Sequence, residues 1–314
     1  MVDDFFAAVS HYNDSECDAR LSVLLLGSLS KGEGSWISTK DGAQMLSDVE
    51  FFVIYPADFS ILPVAKQQLD CLIQSSFSGQ KSSLFHVDAT FVSSDRLPRM
   101  EHKLLTYDAV HHGKWVVGRP LPRQLPQVTE KSLNRYDIRD IVEHRVFSVL
   151  FYASALKEAG ETLQYRYVLA KNSLDLLTAL SAQYGCLATT LTQREQVLAQ
   201  LGLPQEYKEY LKHCLNCKKD PQTQADLSVT QMQQRFLNLA QYTADAVRVP
   251  AFHAVKHARH RLRRRAGQLK RSLQYRHFVF GNHQKQLLLA LQREQKLTPS
   301  QRRDHLVLHG YPAE

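Results

Sequence analysis

Hydrophobic positions fall in short unbroken runs in the first third of the chain and at helical spacing in most of the rest. Leu21 to Leu26, Val49 to Tyr55 and Leu84 to Val92 are apolar runs of strand length, and Lys114 to Gly118 is a shorter fourth. Asp3 to Tyr12 sets Phe5, Phe6 and Val9 on one side of a short helix, and Pro63 to Ile73 spaces Val64, Leu69, Leu72 and Ile73 in the same way. Between the first two strands, Gly27 to Ser47 is rich in Gly and Ser. It is polar apart from Trp36, Ile37, Met45 and Leu46, and reads as a long loop. Pro120, Pro122 and Pro126 punctuate a linker. After it the period becomes helical, with Ile138 to Leu156, Leu163 to Tyr184, Gln193 to Leu201 and Met232 to Val247 as helices. Strands alternating with helices, followed by helices alone, predict an α+β chain: an N-terminal mixed sheet with flanking helices, then an all-helical part. The expected domains are 1–125, 126–248 and a basic segment 249–314, with the first boundary near 120–135.

The strand runs carry acids. Asp48 and Glu50 open the second run, and i and i+2 of a strand point to one face. Asp88 sits in the middle of the third. An unpaired buried carboxylate is costly, so acids in apolar strands need a reason. Taken singly, Asp48 could cap the loop and Asp88 could pair with a cation. Taken together they are oxygen ligands for a hard cation such as Mg2+ (or Mn2+). Ahead of them, Leu24-Leu25-Leu26 runs into Gly27-Ser28. Glycine allows a tight turn and a close backbone approach to phosphate, and serine adds a hydroxyl and an N–H. Lys31 is the cation nearest that turn, open to a phosphate contact or to plain solvation.

Gly27-Ser28, then Ser47-Asp48-Val49-Glu50, then Val87-Asp88-Ala89-Thr90-Phe91 resembles the nucleotidyltransferase superfamily related to DNA polymerase β. Glu in the second acidic position is similar to the kanamycin-type aminoglycoside nucleotidyltransferases. Tyr107-Asp108-Ala109 to Gly118 resembles a strand that ends many such domains, so roughly residues 20–118 carry the likeness. The resemblance implies catalytic and metal-binding roles for Asp48, Glu50 and Asp88, and nucleotide binding by Gly27, Ser28, Lys31 and Ser47. It implies an NTP substrate and Mg2+. Two departures stand out. Ser28 and Asp48 lie about twenty residues apart, farther than in the family's compact members, which makes Leu29 to Leu46 an insertion, expected to be a flap over the nucleotide. A general base from the helical part is not identifiable; Glu143 and Asp140 are candidates, against a plain surface role.

Charge is unevenly spread. The net charge is +8, yet Ala246 to Arg293 alone holds twelve Lys/Arg and no acid, which leaves the remainder at −4. Within that tract Phe252, Val255, Leu262, Ala266, Leu269 and Leu273 form a narrow apolar stripe at helical spacing. Residues 252–275 are open to three readings: an anionic membrane surface, nucleic-acid phosphates, or a solvated or partner-docked helix. The absence of interleaved aromatics argues against single-stranded nucleic acid. His253, His257 and His260 share a face, open to a basic face or to metal ligation. Thr298 begins a final short helix. Five cysteines, with one CxxC at Cys214 and Cys217, suit a reducing compartment. That pair reads as ordinary thiols or as a metal or redox site. No run approaches the roughly 18–20 apolar residues of a membrane span. Met1-Val2-Asp3-Asp4 lacks the basic start of a secretory signal. The expected location is cytoplasmic, with a peripheral position at the inner face of the membrane left open by the basic tract.

The function expected is Mg2+-dependent transfer of a nucleoside monophosphate from an NTP to a hydroxyl of a small-molecule, glycan-precursor or protein acceptor, with release of pyrophosphate. The alternatives are a non-catalytic NTP-binding or scaffold protein and a nucleic-acid-directed transferase.

Overall fold

The computed structural model describes residues 6–7, 10–11, 21–40, 42–58, 66–69, 71–73, 84, 86–158, 162–222 and 226–247, with the side chains at 143, 147 and 150–158 excepted. The expectations for the basic tract 252–275, its histidines and the helix at Thr298 lie outside the described residues. The chain divides into two compact units, 1–134 and 135–314.

The first unit is built on a four-stranded mixed sheet. Its strands are β1 (Ser22–Leu26), β4 (Val49–Tyr55), β5 (Val87–Ser93) and β6 (Lys114–Val117), in the order β5-β4-β1-β6. β1 pairs antiparallel with β4 and with β6, while β4 and β5 run parallel. A parallel pair needs a crossover, and the segment 56–86 supplies it, helical at 66–69 and 71–73. Side chains alternate between two cores. Val23, Leu25, Val49, Phe51 and Val53 join Met45 and Leu69 on one face. Leu24, Leu26, Phe52 and Ile54 join Leu97 and Ala109 on the other. Cover on both faces explains why the strands read as continuous apolar runs. Full burial of Phe51 or Phe52 contributes about 1.5–3 kcal/mol each.

Two expectations need correction. Gly27 to Ser47 is not a plain loop. It opens with a single helical turn, α1 (Gly27–Ser30), and then forms a hairpin of β2 (Trp36–Thr39) and β3 (Gly42–Met45). Thr39 pairs with Gly42, whose φ of +113° only glycine adopts readily. The hairpin carries its own core anchors, Ile37 and Met45, both buried. Second, Tyr107 to Ala109 belong to a helix, α2 (Leu104–His111), and only Lys114–Val117 is strand. Tyr107 and Ala109 are buried in that helix, with Ala109 in the second core, so helix packing overrides a local likeness to strand.

Among its described residues the second unit is built of helices: α3 (Arg135–Glu158), α4 (Thr162–Gln183), α5 (Leu191–Gln200), α6 (Gln205–Lys219) and α7 (Val229–Ala246). α4 is buried along most of its circumference, from Tyr165 to Ser181, which marks it as the central helix. Thr190 with Gln193, and Ser228 with Gln231, form capping boxes that start α5 and α7. No helix among the described residues is long and apolar enough to cross a membrane.

Candidate active site

Because β1 is antiparallel to β4, the end of β1 meets the start of β4. Because β4 is parallel to β5, both of these begin at the same edge. The register sets Leu26 beside Glu50, and Glu50 beside Asp88. Gly27, Asp48, Glu50, His86 and Asp88 are thus all brought to one edge of the sheet. Asp48 stands one residue before the strand, keeping the parity of Glu50.

Gly27 has φ of +67°, in the region that favours glycine. A Cβ there would stand 2.6 Å from Glu50 Oε2, so the glycine leaves room for that carboxylate. The turn behind it is tied internally. Ser30 Oγ donates to the Gly27 carbonyl at 2.9 Å, and Glu33 N–H donates to the Ser28 carbonyl at 2.8 Å. Lys31 is neither exposed nor aimed at solvent. Its Nζ lies 2.7 Å from Asp108 Oδ2, with side chains 8% and 16% exposed. This ion pair fastens the turn to α2, which packs on the Glu50 face of the sheet through Ala109. Ser47 is buried, and its Oγ accepts the Ser35 N–H at 2.9 Å. The structure therefore gives Ser47 a role in closing the base of the hairpin.

His86 is a residue that the sequence pattern did not single out. Nδ1 lies 3.1 Å from Asp48 Oδ1, and Nε2 lies 3.2 Å from Asp88 Oδ2. The Leu84 carbonyl oxygen is 3.3 Å from Nδ1. The hydrogen bond with Asp88 is the main cause that raises the imidazole pKa above its ordinary value, and the Asp48 charge adds to it while partial burial opposes. Asp48 is nearly covered (10% exposed), whereas Asp88 is open to solvent (63%). The signal for His86 was its place two residues before Asp88, on the same strand face. Nothing local signals Asp108, which lies 77 residues from Lys31.

Three carboxylates at one edge have the donor chemistry of a hard-cation site. Asp48 and Asp88 face each other across the imidazole. Among the described residues no three His, Cys, Asp or Glu side chains already surround one point. The half-exposed His86 ring lies between Asp48 and Asp88.

Near the Lys31–Asp108 pair, the rings of Tyr107 and His111 lie 4.2 Å apart, and His111 Nε2 is 2.8 Å from the Val128 carbonyl oxygen. Burial pushes the His112 pKa below its ordinary value, helped by the Lys31 and His111 charges and opposed by Asp108. Burial also raises the Tyr107 phenol, with Glu130 and Asp108 adding to it. In the second unit, Asp140 lies on α3, as does Glu143, whose side chain is not described. Cys214 and Cys217 are free thiols buried on α6, with Cys217 Sγ 3.4 Å from His213 Nε2. Burial pushes Cys214 up to about 12, which makes it inert.

No protein-family model and no curated protein sequence matches the chain. Among solved structures it is similar to the spectinomycin adenyltransferase of Enterococcus faecialis, determined with ATP and spectinomycin. The identity is 12% and the TM-score 0.49, over 78% of this chain and 98% of that one.

Proposed function

We propose that this chain is a metal-dependent nucleotidyltransferase. The acceptor hydroxyl oxygen bonds to the α-phosphorus of an NTP, the bond from that phosphorus to the bridging oxygen breaks, and pyrophosphate leaves. The acceptor proton passes to solvent or to a base that the residues described do not identify. The observation that carries this reading is the register of Glu50 against Asp88 at the start of two parallel strands, with Asp48 and the Gly27 turn at the same edge.

Asp48, Glu50 and Asp88 would hold Mg2+ or Mn2+. When bound, the ion supplies charge neutralisation at the phosphate oxygens. At the Gly27–Ser28 turn the glycine leaves room for the Glu50 carboxylate beside the triphosphate, and the Lys31–Asp108 pair fixes that turn. Acceptors of three kinds suit the reading: a small molecule, a glycan precursor or a protein side chain.

The test is titration with Mg2+ and each of the four NTPs, followed by pyrophosphate release in the presence of each acceptor kind. Asp48→Asn, Glu50→Gln and Asp88→Asn should retain the fold by circular dichroism and lose turnover by at least 100-fold, as an order of magnitude for an electrostatic site. Turnover retained in all three rejects the assignment. One observation favours a second reading, an NTP-binding protein without turnover: the His86 ring stands between Asp48 and Asp88. NTP binding with no pyrophosphate release for any acceptor, in the wild type and in His86→Ala alike, supports that reading.

A further inference from the structure

The central helix of the second unit carries a polar stripe on an otherwise buried surface. Tyr167, Lys171, Asp175 and Thr178 follow at helical spacing along α4, and cations from three other helices gather on them. Arg145 of α3 brings Nε to 2.8 Å from Asp175 Oδ2. Arg194 of α5 donates from Nη2 to Asp175 Oδ1 at 2.9 Å and from Nε to Thr178 Oγ1 at 3.1 Å. Lys218 of α6 donates from Nζ to the Tyr167 hydroxyl at 2.8 Å. Lys218 is the unusual group. It is 5% exposed, and lysine is seldom buried so far except against an opposite charge. Burial depresses its pKa most, the Tyr167 contact opposes, and the charges of Lys171 and Arg194 depress it further.

Asp175 is already engaged by two arginines. Among these described residues four cations, Arg145, Lys171, Arg194 and Lys218, stand against this one carboxylate, a formal excess of three positive charges. Arg194 also has donors to spare. Its side chain is 11% exposed, and two of its five N–H groups are engaged. Among the described residues its Nη1 group meets no acceptor. A guanidinium fork held in place beside a shielded ammonium is the chemistry that binds an oxyanion. We propose that Arg194 and Lys218 hold a phosphate group within the second unit. A phosphate dianion offsets more of the excess than a carboxylate, which removes a single charge. The burial of both donors favours one phosphate group, free or borne on a small organic molecule, over a magnesium-bound triphosphate. The inference does not rest on the nucleotide reading, whose residues all belong to the first unit.

The experiment uses the full chain, with inorganic phosphate and a sugar phosphate as probes and potassium chloride of matched ionic strength as the reference. Calorimetry and thermal unfolding are the readouts. At least one probe should bind and raise Tm above the chloride reference. Tighter binding of inorganic phosphate identifies the free ion, and tighter binding of the ester identifies a phosphate carried on a larger molecule. Lys218→Met should weaken that binding by about 10- to 100-fold, the effect of losing one charge-assisted hydrogen bond. Arg194→Lys keeps the charge and loses the fork, and should weaken binding by about 10-fold. It supplies the reading if Lys218→Met does not fold. Lys212→Met removes an exposed lysine of the same helix and should leave affinity within about twofold. A wild-type chain that binds neither probe overturns the inference. So does unchanged binding in folded Lys218→Met or Arg194→Lys, or an equal loss in Lys212→Met, which shows diffuse attraction. Displacement of the bound probe by Mg·ATP overturns it too, by assigning these cations to the nucleotide.

Discussion

Gly27 carries two constraints at once. Its φ of +67° penalises any side chain, and the space a Cβ needs is filled by the Glu50 carboxylate. Gly27→Ala should lower stability by about 1–2 kcal/mol from the backbone alone, measured by urea unfolding. The carboxylate can swing away at little cost, so the larger loss falls on metal and nucleotide affinity, and Gly27→Val should deepen it. Unchanged nucleotide affinity in a folded variant means that the phosphates sit elsewhere. His112 gives a pH signature. Its folded pKa is depressed, so the unfolded chain binds more protons just below the ordinary histidine value of 6.5. Stability therefore rises with pH across the window from the depressed folded pKa up to 6.5, and falls as pH is lowered through it. His112→Gln should flatten that part of a stability–pH curve; an unaltered slope would assign it to other groups.

At the scale of elements, the Lys31–Asp108 pair joins α1 to α2 across the sheet edge. Both side chains are mostly buried, and Asp108 Oδ1 has no hydrogen-bond partner. Removing one partner strands the other charge, so Lys31→Met or Asp108→Leu alone should cost on the order of 3 kcal/mol. The double variant should recover much of that loss, giving a large coupling in a double-mutant cycle. Additive losses would show that the two residues act independently. Nucleotide affinity should fall with the pair, because the turn loses its tether. The hairpin has a local signature, Lys40-Asp41-Gly42 after the β-branched Ile37 and Thr39, with Gly42 paired to Thr39. The polar composition of the surrounding stretch masked it. Helix α6 carries a local signature too: Tyr210, Leu211, Cys214 and Leu215 are buried at helical spacing.

For the whole molecule, charge separation has a measurable consequence. The tract from Ala246 to Arg293 holds twelve basic residues and no acid, while the rest of the chain is at −4. Each Lys or Arg near an anionic surface contributes about 1 kcal/mol, within a Debye length. The full chain should therefore co-sediment with anionic vesicles, lose that binding steeply with salt, and ignore neutral vesicles. A chain ending at Val247 should not bind. Competition by RNA would move the tract to nucleic acid; binding to neutral vesicles, or none to either, would reject the membrane reading.

Strand and helix runs were legible because their periods are local. Val49 to Tyr55 emerges with the bounds that its apolar run sets, and the parity of Asp48 and Glu50 follows from the two-residue repeat of any strand. The α+β architecture followed from the order of those runs. What joins distant segments was not legible. Register between β4 and β5 decides that Glu50 sits beside Asp88, and the antiparallel return of β1 decides that Gly27 makes room for Glu50. Packing of α2 decides that Lys31 meets Asp108 rather than water, and the start of β5 places His86 between two acids. Sequence spacing fixes which way a side chain points within its own element. Only the pairing of elements fixes what it points at.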